Sequence, residues 1–209
     1  MSLRQAFLRS KCCLFCNFNQ VAGLMKNGFS LIEVLVSILI LAVGVVGTAD
    51  MQLTALRAAR QSAFHAFAQQ LAAEIADAMR ANHGLARGAA GVAPYVGLDY
   101  RSAGNGEPSS PAKLCYASAC DARELAEFEI YEWKKRVKAA LPGGRIAICR
   151  DANPWQADKN ALAWACNGEQ DGTAPVVIKL GWQAKNPDGG LKRDSAGTFP
   201  PLVALTVGL

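Results

Sequence analysis

The sequence predicts an α+β protein: a long N-terminal helix, its first half suited to a membrane and its second half amphipathic, packed on a small antiparallel β-sheet domain. Three observations carry the fold class. Phe29–Ala49 is an apolar run broken by one acid, Glu33. The helical pattern then continues from Asp50 to Asn82 without a Pro or Gly. Toward the C-terminus, Arg145–Arg150, Val176–Gln183 and Leu202–Val207 show the alternation or β-rich composition of strands.

The 209 residues suit one folded domain plus an anchor. Net charge is +5, and its distribution is uneven. Residues 1–28 carry Arg4, Arg9, Lys11 and Lys26 and no acid, which leaves 18 basic and 17 acidic residues in the rest. The basic excess therefore belongs to the leader. By the positive-inside rule it places the leader in the cytoplasm and the chain after it outside. It is no signature of a nucleic-acid partner.

Residues 1–28 read as a leader peptide. Cys12, Cys13 and Cys16 lie in it, and Cys13-x-x-Cys16 has neither a second pair nor a nearby His to make a metal or redox centre. Met25-Lys26-Asn27-Gly28 is a short basic leader in its own right, so Met25 is a candidate true start.

Residues 29–49 are the predicted transmembrane half of the helix. At ~1.5 Å per residue the run spans ~30 Å, the hydrocarbon thickness of a bilayer. A carboxylate inside such a segment costs about 2.5–3.5 kcal/mol on insertion scales, so Glu33 calls for a partner. Ala42 and Ala49 make an unconvincing secretory cleavage site, because the helical pattern runs through them. Gly44 and Gly47 each cost a helix about 1 kcal/mol relative to Ala; they read as close-packing positions or as a point of local unwinding.

The stretch Gly28-Phe29-Ser30-Leu31-Ile32-Glu33-Val34 resembles the class III signal of type IV pilins and pseudopilins. The resemblance implies cleavage between Gly28 and Phe29 by a prepilin peptidase, N-methylation of Phe29, and an assembly role for Glu33. The chemistry fits. Cleavage leaves an ammonium at Phe29, and Glu33 can neutralise that ammonium, or a neighbouring subunit's, in low dielectric.

Residues 50–82 are the amphipathic half. Phe64, Phe67, Leu71, Ile75 and Met79 recur at spacings of three and four and form a core stripe. Asn82-His83-Gly84 reads as the C-terminus, with Gly84 as a left-handed cap. Phe29–Asn82 is then one helix of 54 residues. The globular domain is expected over 83–209. Its first part, 84–114, is punctuated by Gly and Pro and reads as loop, with Tyr95 and Tyr100 anchoring it to the helix.

Asp121-Ala122-Arg123-Glu124 resembles a capping box and opens a helix over 121–141. Ala126, Ile130, Trp133, Val137 and Leu141 form its stripe, and Pro142-Gly143-Gly144 stops it. Lys134, Lys135, Arg136 and Lys138 suit the C-terminal end of the helix dipole, and the four glutamates before them compensate the charge. A DNA or anionic-lipid contact is the lesser reading.

Four cysteines follow the membrane run, and three pairings of them are open. Cys115 and Cys120 flank a four-residue loop, whereas Cys149 ends a strand and Cys166 lies in the next loop. This placement favours the disulfides Cys115–Cys120 and Cys149–Cys166 in an oxidising compartment. The alternative, a zinc site, would need His or tighter C-x-x-C pairs.

A second resemblance is narrower. Cys115-x4-Cys120-Asp121-x2-Glu124-Leu125-Ala126, Trp133-Lys134 and Leu141-Pro142-Gly143-Gly144 are together similar to the PilV family of minor pilins, type IV pilus modification proteins. It implies a protein that joins other minor pilins and inner-membrane assembly components to initiate or support a pilus. The alternatives are a minor pseudopilin of a type II secretion system and a ligand- or DNA-binding pilin. No G-x-S-x-G, H-E-x-x-H or phosphate-binding Gly-rich loop is present. The chain is therefore read as a non-enzyme with no catalytic residues, cofactor or metal, and as a substrate of the prepilin peptidase. The expected location is the inner membrane, single-pass, with a periplasmic C-terminal domain.

Overall fold

The structure, a computed structural model, describes residues 28, 30–87, 93–168, 173–186, 189–193 and 199–209. Cys12, Cys13, Cys16 and Met25 of the expected leader lie outside the described residues. The chain divides into two compact units, Met1–Thr54 and Ala55–Leu209.

Helix α1 spans Leu31–Ala81, 51 residues, and contributes to both units. Its first turns are built on Ser30, whose carbonyl accepts from the Glu33 and Val34 amides. Ser37 and Thr48 return their hydroxyls to the carbonyls of Glu33 and Val45, which satisfies polar side chains inside an apolar segment. The helix runs through Gly44 and Gly47 without interruption.

In the second unit α1 buries Ala68, Leu71, Ala72, Ile75, Ala76 and Met79. Small residues alternate with large ones along this stripe, so the helix approaches its neighbours closely and still fills the core. Phe64 and Phe67 are half-buried against the same core. The helix does not end on a Gly84 cap. Gly84 lies inside a one-turn helix, α2 (His83–Ala86), which α1 enters through Asn82. Asn82 continues the turn by accepting from the Leu85 and Ala86 amides, so no left-handed residue is needed there.

A four-stranded antiparallel sheet lies against the helices. It comprises β1 (Leu98–Arg101), β2 (Arg145–Arg150), β5 (Val176–Gly181) and β6 (Val203–Val207), in the order β1-β2-β5-β6. The register aligns Tyr100 with Ile146, Ile146 with Leu180, and Leu180 with Val203, so one face is continuously apolar. That face joins α1 and α3 (Ala122–Ala140) in a single core. Strand β1 corrects the reading of 84–114 as loop: Leu98 and Tyr100 do alternate, but within a four-residue strand.

Helix α3 starts as a true capping box. The Asp121 carboxylate accepts from the Arg123 and Glu124 amides at 2.9 and 2.8 Å, and Glu124 accepts from the Asp121 amide at 2.9 Å. Trp133, fully buried, stacks on Tyr95 at 5.8 Å between centroids. The helix ends at Ala140 with Leu141 extended as its C-cap, and the turn that follows is made at Gly143, whose φ of +58° is one L side chains rarely adopt.

The second face of the sheet is covered too, and β5 is buried along its whole length. Its cover is the segment after β2, which carries a short hairpin, β3 (Trp155–Gln156) with β4 (Ala161–Leu162). Together the elements are the α+β arrangement of a long helix packed on a small antiparallel sheet, consistent with a type IV pilin fold.

Candidate functional site

Glu33 lies in the first turn of α1, in a stretch whose residues from 30 to 60 are all exposed. Leu31, Ile32, Leu35, Ile38, Leu39, Leu41, Val43 and Val46 present apolar side chains outward. The helix is long and apolar enough to cross a membrane, and fits a membrane-anchored protein. Among the described residues Glu33 has no ion pair. Gly28 is exposed, with nothing within 4 Å of an added Cβ. Phe29 lies outside the described residues.

The cysteines of the second unit are paired as Cys115–Cys120 and Cys149–Cys166, with Cα separations of 5.8 and 6.0 Å. The first bridge closes a loop before α3. There Tyr116 packs edge-on against Phe128 at 4.8 Å and its hydroxyl donates to Glu132 at 2.7 Å. The second bridge ties β2 to the segment covering the sheet.

Between that cover and β5 lies a charge pair missed in the sequence. Lys179 and Asp151 are both fully buried, 2.5 Å apart, and the Lys179 ammonium also donates to the Ala165 carbonyl. The available signal was Lys179 at the centre of an otherwise apolar strand. A lone cation buried there would cost several kcal/mol, so the position demands a partner.

The basic run on α3 is spoken for locally. Arg136 holds Glu74 of α1 through two bonds of 2.7 and 2.5 Å, Lys135 pairs with Glu132, and Lys138 pairs with Glu107. Lys134 is half-buried, and desolvation holds its ammonium below the ordinary lysine range. Tyr95 and Tyr100 are both buried. The Tyr95 hydroxyl donates to Glu129 at 2.7 Å, and burial followed by that bond pushes its titration well up. Tyr100 belongs to β1, and its hydroxyl donates to the Gly106 carbonyl.

A cavity of about 360 Å³ opens beside β1 and the end of α3, lined in part by Arg101, Arg145, Trp164 and Gln183. Arg145 stacks on Trp164 at 4.1 Å and forks onto Asp99 at 2.8 and 2.7 Å. Its charge is thus already answered. Among the described residues no group of three or more His, Cys, Asp or Glu side chains is placed to hold a metal ion.

Comparison with known proteins adds one finding. A family described as "Prokaryotic N-terminal methylation motif" matches residues 24–49. No curated protein matches the chain. No solved structure matches it either. The matched segment contains Gly28, Phe29 and Glu33 and the start of α1. It supports a type IV pilin-like protein, implies processing by a prepilin peptidase, and places the chain in a pilus or pseudopilus context. Motif and fold together point to a structural protein rather than an enzyme.

Proposed function

We propose that this chain is a PilV-like minor pilin, cleaved between Gly28 and Phe29 and N-methylated on Phe29. It then joins other minor pilins in the inner membrane to initiate or support pilus assembly. The observation that carries the reading is the conjunction of the methylation motif over residues 24–49 with the segment built on Cys115–Cys120, the Asp121 capping box and the Leu141-Pro142-Gly143-Gly144 stop. In this reading Glu33 sets register: an ammonium from its own Phe29 or a neighbour's supplies the charge that the apolar surroundings of Glu33 require. The globular domain faces the periplasm and selects partners.

The test is a clean deletion in the host, scored for surface pili by electron microscopy and for secretion of exported enzymes. Loss of pili with intact secretion is the expected result. Normal piliation with impaired secretion would favour a type II pseudopilin. Glu33→Ala should be processed normally yet fail to restore pili, whereas Gly28→Val should accumulate uncut precursor. Intact mass of the membrane-extracted chain checks both; a mature N-terminus other than methylated Phe29 would refute the processing claim.

A further inference from the structure

One cation of the basic run on α3 stands apart from the others. Lys135, Arg136 and Lys138 each pair with an acid. Lys134 is half-buried, and among the described residues its ammonium has neither an ion pair nor a hydrogen bond. Burial acts on it with no opposing charge. A cation held in this way is short of an acceptor.

Lys134 lines a cavity of about 340 Å³ between α3 and the segments on either side of β1. One wall is a single face of α3, on which Arg123, Glu127, Ile130, Tyr131 and Lys134 recur at helical spacing. The opposite wall includes Pro94, Ser109 and Pro111. Residues 88–92, just before the lining residue Ala93, are Gly-Ala-Ala-Gly-Val and carry no acid to answer Lys134.

The lining sorts its chemistry along the helix. The Lys134 ammonium only donates. The Glu127 carboxylate, two turns earlier and ~10 Å away along the axis, only accepts. The Tyr131 and Ser109 hydroxyls can do either. Among the described residues none of these three oxygen-bearing side chains makes a hydrogen bond. Ile130 and Tyr131 lie between the two charges and give the cavity an apolar floor.

Each group calls for a different complement. Lys134 calls for an anion, Glu127 for a hydroxyl or N–H donor, and the ring and prolines for C–H surface. A simple anion answers Lys134 and nothing else. An α-amino acid carries its two charges one carbon apart and does not reach both ends. The lining sets two cations, Arg123 and Lys134, against one acid, which suits a monoanion better than a phosphate dianion. Ligand pockets run from about 300 to about 1,000 Å³, so a cavity of this size holds one ring, not a chain.

We propose that this cavity binds a small polyhydroxylated carboxylic acid of the sugar-acid class, with its carboxylate on Lys134 and its hydroxyls on Glu127, Tyr131 and Ser109. The proposal goes beyond the pilin reading and does not depend on it.

The test is saturation-transfer NMR on the full-length chain, extracted in a detergent without a sugar headgroup, with D-glucuronate as the probe. Saturable binding is the expected result, with D-glucose, which lacks the carboxylate, at least about tenfold weaker. Lys134→Gln should weaken glucuronate binding about tenfold, and Tyr131→Phe by a smaller factor. Lys134→Arg keeps the cation and should retain most of the affinity. Lys159→Gln makes the same charge change at an exposed position away from the cavity and should alter nothing. Binding by the unaltered chain is decisive even where a variant fails to fold. No saturable transfer to glucuronate, equal binding of glucose, or no effect of Lys134→Gln overturns the proposal. Acetate or inorganic phosphate binding as tightly as glucuronate also overturns it, by showing a bare anion patch.

Discussion

Gly181 shows how a single residue can decide the local architecture. A Cβ there would lie 2.7 Å from the Trp164 ring and 2.7 Å from the Pro200 carbonyl, so the strand end accepts only glycine while Trp164 stays in place. Gly181→Ala should destabilise the protein by about 1–3 kcal/mol, as overpacking does, and loosen Trp164. Denaturant titration followed by tryptophan fluorescence reads both effects. Asp121→Ala removes the acceptor of two helix-start amides and should cost about 1 kcal/mol, measurable as a lower midpoint at unchanged slope. Lys179→Met strands Asp151 in the interior and should cost roughly 3–5 kcal/mol, with Asp151→Leu added on top recovering much of it. A double-mutant cycle that shows no coupling between the two positions would contradict the pair as described.

At the scale of elements, what the sequence revealed depended on length. Alternation over six residues announced β2 and β5, and a stripe of five apolar positions announced the buried face of α1. The four-residue β1 was hidden because Leu98 and Tyr100 alternate for only two positions among glycines and prolines, and its pairing with β2 is non-local. The two-residue strands β3 and β4 are too short to show a period. Gly84 misled because a cap-like residue is legible, whereas the one-turn α2 depends on Asn82 being held by Tyr95 and the Ala122 carbonyl. Of the candidate site, Gly28 and Glu33 stood out through the motif, while the Lys179–Asp151 pair did not, because its partners are 28 residues apart. The disulfides carry an element-scale prediction. The Cys149–Cys166 bridge closes a separation of 17 and Cys115–Cys120 one of 5. Chain-entropy arguments assign about 3 and about 2 kcal/mol respectively. Paired Ser substitutions at 149 and 166 should therefore lower the urea midpoint more than those at 115 and 120.

At the scale of the whole molecule, exposed and half-exposed ion pairs shape the response to acid. Arg145 hydrogen bonds hold the Asp99 carboxyl below its ordinary range, partly opposed by desolvation and assisted by the Arg145 and Arg101 charges. The Glu124 and Glu132 carboxyls are likewise lowered, chiefly by their bonds to Lys113 and Tyr116. Groups depressed in the folded state add stability that is complete above the unfolded carboxylate value, about 4, and is lost as pH falls through the folded values. The melting temperature should thus decline below about pH 4, with Asp99→Asn showing a shallower decline, after a smaller fall that begins below about pH 6.5, where burial of His65 disfavours its imidazolium in the folded state. A melting temperature that rises on acidification would contradict this.

The covering segment after β2 is fastened at both of its ends. Cys149–Cys166 and the Lys179 contacts to Asp151 and Ala165 hold its flanks, and the hairpin between them has an exposed tip at Asp158 and Lys159. A clasp of this kind separates what the fold requires from what the outside world touches. The tip is a place where residues can change at little cost to the core, and a ready site for grafting an epitope. A nine-residue tag inserted between Asp158 and Lys159 should leave the melting temperature within a few degrees of the parent.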